Sequence, residues 1–150
     1  MDSFESIEKE YKFFQKNRGI RACIIFKDAN CDTLLYHYDA AFTTPRPESY
    51  REDYELAKSS GNKANMYREL AAGAESGWDY SSRWFKVREL QNTIHTTNVI
   101  AVDLNVFIVI NLRILAKFAK LMKENNKEFY YDTLAKNSHK LIDKYLFDKD

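Results

Sequence analysis

Apolar residues recur every three or four positions along most of this chain, which is the spacing of helices with one buried face. We predict a first helix that ends before Asn17, because four apolar residues recur there at helical intervals, Phe4, Ile7, Tyr11 and Phe14. Further helices are predicted at residues 48–58, 63–75, 103 to about 124, and 128 to about 145. The pattern therefore indicates a mainly helical fold.

Other parts of the chain depart from the helical pattern. Residues 21–26 and 33–38 are short apolar runs on either side of Asp28-Ala29-Asn30, and we predict that they are extended segments of a small hairpin. Residues 78–97 form a long connection with little periodicity. Connections of this length are uncommon in compact domains unless they carry function, so this one is a candidate functional loop.

The overall composition limits the partners to expect. A chain of 150 residues can bury one core, and its 23 basic and 22 acidic residues give a net charge of +1. Because there is no basic excess, we expect neither nucleic acid nor an anionic membrane surface as a partner. The most apolar stretch, residues 99–116, is interrupted by Asp103 and Arg113, which favours a buried helix over a membrane span.

The start of the chain is acidic and amphipathic, and it lacks the apolar region of an export signal. If Met1 is the genuine N-terminus, we expect a cytoplasmic protein. If the chain is truncated, its compartment is open.

The cysteines and histidines give no pattern typical of a metal site. Cys23 and Cys31 lie eight positions apart without a Cys-x-x-Cys motif, and we predict reduced thiols. The three histidines have no ligand spacing, so we expect no metal and no cofactor. The chain also lacks the glycine motifs of serine hydrolases and nucleotide-binding enzymes.

One carboxylate stands out at residues 71–84, which read AAGAESGWDYSSRW. Asp79 lies between Trp78 and Tyr80, where we expect it to lose water, which disfavours its charged form as a general acid requires. The alternative is an ordinary helix-capping aspartate. Arg83 could pair with Asp79 or brace the loop against Glu75, and bracing is favoured because a paired arginine would stabilise the charged form.

The second candidate segment contains both prolines of the chain, Pro45 and Pro47, with Arg46 between them. Because each proline ring fixes its own φ, Arg46 is presented from a stiffened backbone. Its planar guanidinium is suited to sugar hydroxyls or to a carboxylate. Glu48 lies near a predicted helix start, where an acidic residue is favourable regardless of function.

These two segments, PRPESYRED and ESGWDYSSRW, resemble those of the trehalases, which hydrolyse α,α-trehalose to two glucose molecules. The resemblance covers nearly the whole chain in the family's order. It includes EYKFF with Asn17-Arg18, Tyr36-His37-Tyr38, Thr96-Thr97 and Val102-Asp103-Leu104-Asn105. The default role of the segment 103–105 is nevertheless capping, because it opens a predicted helix.

The resemblance implies a fold and a set of site residues. The fold is mainly α, part of an (α/α)6 toroid-type helical barrel that is incomplete here, and residues 1–150 form a single partial catalytic domain. The ligand is trehalose. Asp79 corresponds to the family's catalytic acid, and the residues that correspond to positions at the substrate are Arg46, Pro47, Glu48 and Gly77.

The same resemblance accounts for only one of the two carboxyl groups that the reaction needs. Trehalases invert configuration, which needs two carboxyl groups roughly 6.5–9.5 Å apart, and no carboxylate of this chain matches the family's base. The chain resembles a central portion of a longer enzyme, so we expect it to be inactive alone and to self-associate through unpaired helix faces. The alternative is a non-catalytic relative that binds a sugar or a protein.

Overall fold

The computed structural model describes residues 2–27 and 33–147. Most of them lie in helices, which confirms the predicted mainly α fold. The regular elements are α1 (Asp2–Asn17), β1 (Gly19–Arg21), α2 (Ala22–Phe26), β2 (Leu34–Tyr36), α3 (Tyr50–Ala57), α4 (Lys63–Glu75), α5 (Val102–Leu121) and α6 (Asn125–Tyr145). Short 3-10 helices occupy Pro47–Ser49, Ser82–Trp84, Gln91–Thr93 and Thr96–Asn98.

The contacts divide the chain into two units. The first unit comprises Met1–Tyr36 and Ala101–Asp150, and the second comprises His37–Ile100. The candidate residues Arg46, Glu48 and Asp79 all belong to the second unit. That residues 1–150 form one domain stays a prediction.

The first unit is built around the paired helices α5 and α6, which contain 20 and 21 residues. Leu112 and Leu115 of α5 are fully buried, and they lie three positions apart on one helix face. Tyr131 of α6 meets the rings of Phe4 and Tyr11 of α1 edge-on, at centroid distances of 6.2 and 6.3 Å. Apolar burial on one face of each helix therefore forms this core, as the periodicity predicts.

The predicted hairpin forms, but its first segment is wrong. Strands β1 and β2 pair antiparallel, with Gly19 opposite Tyr36 and Arg21 opposite Leu34. The chain then turns into α2 at Ala22, where an extended strand was predicted. The run ACIIF is too short for its periodicity to distinguish a strand from a helix.

Asn105 has a structural role that differs from the predicted cap. Its Oδ1 accepts a hydrogen bond from the backbone N–H of Tyr36 at 2.9 Å, and its Nδ2 donates to the Tyr36 carbonyl at 2.9 Å. The side chain thus continues the backbone hydrogen bonding of β2 from within α5. Capping is therefore wrong for Asn105.

The prediction of reduced thiols is also wrong, because Cys23 is disulfide-bonded and no cysteine of the described residues is free. Cys31, the other cysteine of the chain, lies outside those residues. The absence of a Cys-x-x-Cys motif does not prevent a structural disulfide, which depends on spatial distance.

Within residues 2–27 and 33–147, no group of three potential metal-ligating side chains occurs. No helix in this part of the chain has the length and apolarity needed to span a bilayer.

The second unit places α3 and α4 before a long connection. Helix α4 begins after Asn62, whose Oδ1 accepts the N–H of Asn65 at 3.0 Å, and it has the predicted bounds. Beyond it, residues 78–97 contain only short 3-10 turns and an isolated antiparallel bridge between Phe85 and Ile94. This confirms the predicted long connection, which is anchored by the fully buried Trp84.

Candidate active site

Asp79 lies on a tight turn just beyond the end of α4. Gly77 leaves the helix with φ +70°, a conformation that favours glycine, and its position is exposed. The N–H of Ser81 donates to the Trp78 carbonyl at 2.7 Å, which closes a turn with Asp79 and Tyr80 at its centre. The peptide bond between these two central residues is cis.

The backbone of this turn is held at Trp78. Its N–H donates to Ser76 Oγ at 3.0 Å, and the Ser76 hydroxyl donates to the Gly73 carbonyl at 2.5 Å. Its carbonyl accepts a second hydrogen bond from the indole Nε1–H of Trp84 at 3.0 Å. Because Trp84 is fully buried, the turn is tied to the core of the second unit.

Tyr80 turns inward from the same turn. Its hydroxyl donates to the Leu70 carbonyl at 3.3 Å, and its ring packs against α4 at Gly73. A Cβ atom at position 73 would lie 3.1 Å from the ring, so only glycine allows this approach without displacement. Burial raises the pKa of Tyr80 to about 12, against the opposing effect of the Arg46 guanidinium.

Asp79 itself is exposed, which corrects the expectation that its aromatic neighbours remove it from water. Tyr80 points into the unit and Trp78 is 55% exposed, so neither ring covers the carboxylate. The capping alternative is also wrong, because the next 3-10 helix is capped by Ser81, whose hydroxyl accepts the N–H of Arg83. The carboxylate is therefore open to a ligand.

Arg83 lies against two tryptophans of its own segment. Its guanidinium lies over the rings of Trp78 and Trp84, at 4.8 and 5.3 Å from their centroids. These cation–π contacts help to hold the two tryptophan rings in place. Its predicted bracing against Glu75 stays a prediction.

Arg46 is held by a carboxylate of its own chain. Nε and Nη2 donate to the two carboxylate oxygens of Asp53 at 2.9 and 2.8 Å, and the Arg46 backbone N–H donates to the same group at 3.0 Å. Arg46 is 7% and Asp53 is 2% exposed. The hydrogen bond to Asp53 raises the pKa of Arg46 above its usual value.

The segments PRPESYRED and ESGWDYSSRW are in contact at Tyr80. The Arg46 guanidinium lies 5.3 Å from the centroid of the Tyr80 ring. Arg46, Asp53 and Tyr80, together with Leu70, border a cleft of about 550 Å³. Arg46 thus contacts the residue that follows Asp79.

The remaining predicted site residues lie on the surface. Pro47 is the first residue of a 3-10 helix, and both Pro47 and Glu48 are exposed. Gly77 is exposed as well. No hydrogen bond or ion pair joins Glu48 to Asp79 within residues 2–27 and 33–147.

Helix α4 holds a neighbouring segment through charged side chains that the sequence analysis missed. The Arg68 guanidinium makes a bidentate ion pair with Asp39, with Nε 2.6 Å from Oδ1. Glu75 accepts the backbone N–H of Asp39 at 3.1 Å. The middle and the C-terminal end of α4 therefore both hold the chain at Asp39.

A buried carboxylate of α4 holds the Thr96–Asn98 turn. Glu69 accepts the N–H and the hydroxyl of Thr97 at 2.8 and 2.6 Å, and His37 Nδ1 donates to the Thr97 carbonyl at 2.6 Å. Thr96 Oγ1 is buried and has no hydrogen-bond partner in the described part of the chain. The apolar run Leu70-Ala71-Ala72 after Glu69 is a sequence signal that could have identified this acid as buried, whereas Asp53 lies between Glu52 and Tyr54 and has no such signal.

Comparison with known proteins agrees with these motifs. The trehalase family model matches residues 1–150. The chain is 37% identical to a trehalase of Pimpla hypochondriaca over 153 residues, which cover 97% of this chain and 26% of that protein. It is 43% identical over 117 residues to a periplasmic trehalase of Escherichia coli O1:K1, covering 77% of this chain and 21% of the relative. The chain thus spans about a quarter or less of the length of these relatives.

Proposed function

The chain belongs to the trehalase family, and we propose that it supplies the general acid and part of the sugar site of an enzyme that hydrolyses α,α-trehalose. The observation that carries this proposal is the geometry of Asp79. Its carboxylate is exposed, while the backbone on its N-terminal side is held by Ser76 and Trp84. An accessible carboxyl group on a fixed turn is suited to proton transfer to a bound substrate.

In the proposed reaction, Asp79 protonates the glycosidic oxygen as the bond to the first glucose breaks. A water molecule attacks the anomeric carbon from the opposite face and gives its proton to a carboxylate that acts as base. That base comes from outside this chain, because no carboxylate here corresponds to it. The products are two glucose molecules, one of them released with inverted configuration.

The sugar is bound by the residues carried over from the family. Arg46 offers N–H donors to hydroxyl groups, Glu48 offers acceptors, and Gly77 lets the sugar approach the backbone. Asp79 is exposed in this chain, so the exclusion of water that proton transfer needs comes from the bound sugar and the rest of the enzyme.

The experiment compares glucose release from trehalose by this chain with release by a full-length form, meaning the chain together with its flanking coding sequence. We expect no significant release from the chain alone and release by the full-length form that is lost with Asp79→Asn. Asp132→Asn is the control, because Asp132 is a surface carboxylate of α6 paired with Lys136. Trehalose binding without hydrolysis by the full-length form would favour the non-catalytic alternative.

A further inference from the structure

Asp53 fixes the direction in which the Arg46 guanidinium points. The paired edge of the guanidinium contains Nε and Nη2, which donate to the two oxygens of Asp53. The other terminal nitrogen, Nη1, is not part of this pair. Because the guanidinium is planar, fixing one edge also fixes the direction of the opposite edge.

Tyr80 holds the same guanidinium through its ring. The ring centroid lies 5.3 Å from Arg46, and the ring is itself fixed by the Leu70 carbonyl and by its close packing on Gly73. Arg46 is therefore held between Asp53 of α3 and the turn that carries Asp79. A change at Asp53 can move Arg46 without altering the hydrogen bonds that hold this turn.

We propose that Asp53 is a positioning residue of the sugar site, which acts by aiming Arg46 and does not itself contact the sugar. This inference rests on the proposed function and adds a residue to it. A purely stabilising role explains the pair poorly, because a buried ion pair is often no more stable than a packed apolar pair of similar size. The location of the pair beside a cleft and in contact with Tyr80 is what a positioning role requires.

The test measures trehalose binding by calorimetry in the full-length form with Asp79→Asn, so that the sugar is not consumed. Asp53→Asn should weaken binding by up to about 100-fold, the contribution of a hydrogen bond from a charged donor. Arg46→Lys should weaken it similarly, and the double variant should be no worse than the single ones, because both remove the same contact. Arg51→Lys is the control, because Arg51 is exposed on α3.

A second measurement separates positioning from stability. With Asp79 intact, Asp53→Asn should raise KM more than it lowers kcat. A variant that melts at a lower temperature but keeps the KM and trehalose affinity of the wild type would overturn the inference. If Asp53→Asn does not fold, the KM for trehalose is measured in Tyr80→Leu and in Arg46→Lys instead. An unchanged KM in both variants would also overturn the inference.

The outcomes also separate this inference from the proposed function. A full-length form that neither binds nor hydrolyses trehalose overturns both. Unchanged turnover in Asp79→Asn, together with a raised KM in Asp53→Asn, overturns only the acid and leaves the positioning role supported.

Discussion

The paired helices α5 and α6 and the segment from Ser76 to Trp84 reach a fixed conformation by different means. The helix pair buries apolar faces, with Leu112 and Leu115 fully enclosed. The segment around Asp79 also buries one large ring, Trp84, but the turn itself is fixed by hydrogen bonds at Trp78 and by the contacts of Tyr80. Regular burial provides stability in the first case, and single polar contacts provide position in the second.

The largest expected effect on stability lies in the helix pair. Leu112→Ala should lower the free energy of unfolding by about 2–5 kcal/mol, because it leaves a cavity at a fully buried position. Leu121→Ala is the matched control on the same helix, where the side chain is 70% exposed and the change should be within about 0.5 kcal/mol. Chemical denaturation measures both, and equal losses would show that burial does not dominate in this helix.

The next largest expected effect is on self-association, through the exposed apolar residues of α5. Val106, Phe107 and Ile110 are partly exposed, and each forgoes a part of the about 1.5–3 kcal/mol that full burial of an apolar side chain provides. We expect the isolated chain to associate as its concentration rises, and Phe107→Lys with Ile110→Lys to reduce this association. Light scattering measures it. A monodisperse monomer at all concentrations would contradict this prediction.

In the segment around Asp79, Trp84→Phe should have a smaller and more local effect. The substitution removes the indole N–H that donates to the Trp78 carbonyl and leaves a cavity beside the smaller ring, at a combined cost of about 1–3 kcal/mol. Hydrogen exchange should show faster exchange at the Ser81 amide, which donates to the same carbonyl. Exchange that increases uniformly through the chain would indicate that this hydrogen bond supports the whole fold and not the turn.

Substitution of Tyr80 should have the smallest effect on stability, and this effect should be measurable only at high pH. Burial raises the pKa of Tyr80 to about 12 from the usual 10.0 of a tyrosine, so the folded state keeps a proton that the unfolded state loses. The contribution to stability is present below pH 10 and is lost as the pH rises towards about 12. Tyr80→Phe should therefore flatten the fall in stability across this window. An unchanged slope in pH-dependent melts would contradict the assignment.

The sequence predicts the parts of this chain that rest on periodicity. Helix α4 has its predicted bounds, and α5 begins only one residue before its predicted start. Both predictions are close because the apolar repeat extends over several turns. The five residues of α2 are too few for the same argument.

The site is less predictable from sequence, because its contacts join residues far apart in the chain. Glu69 and Thr97 are separated by 28 positions, and Arg68 and Asp39 by 29, so no local pattern reveals them. The motif identifies Asp79, but it does not show that Asp79 is exposed while the neighbouring Tyr80 turns inward to Leu70. That direction follows from packing against Gly73, which only the folded structure displays.

The most direct test of Asp79 as the acid compares two substrates in the full-length form with Asp79→Asn. Hydrolysis of trehalose should fall by about 10²–10⁴-fold, because its sugar leaving group needs a proton. Hydrolysis of α-D-glucosyl fluoride, whose leaving group departs without protonation, should fall far less. An equal loss for both substrates, or no loss for trehalose, would contradict the assignment of Asp79 as the general acid.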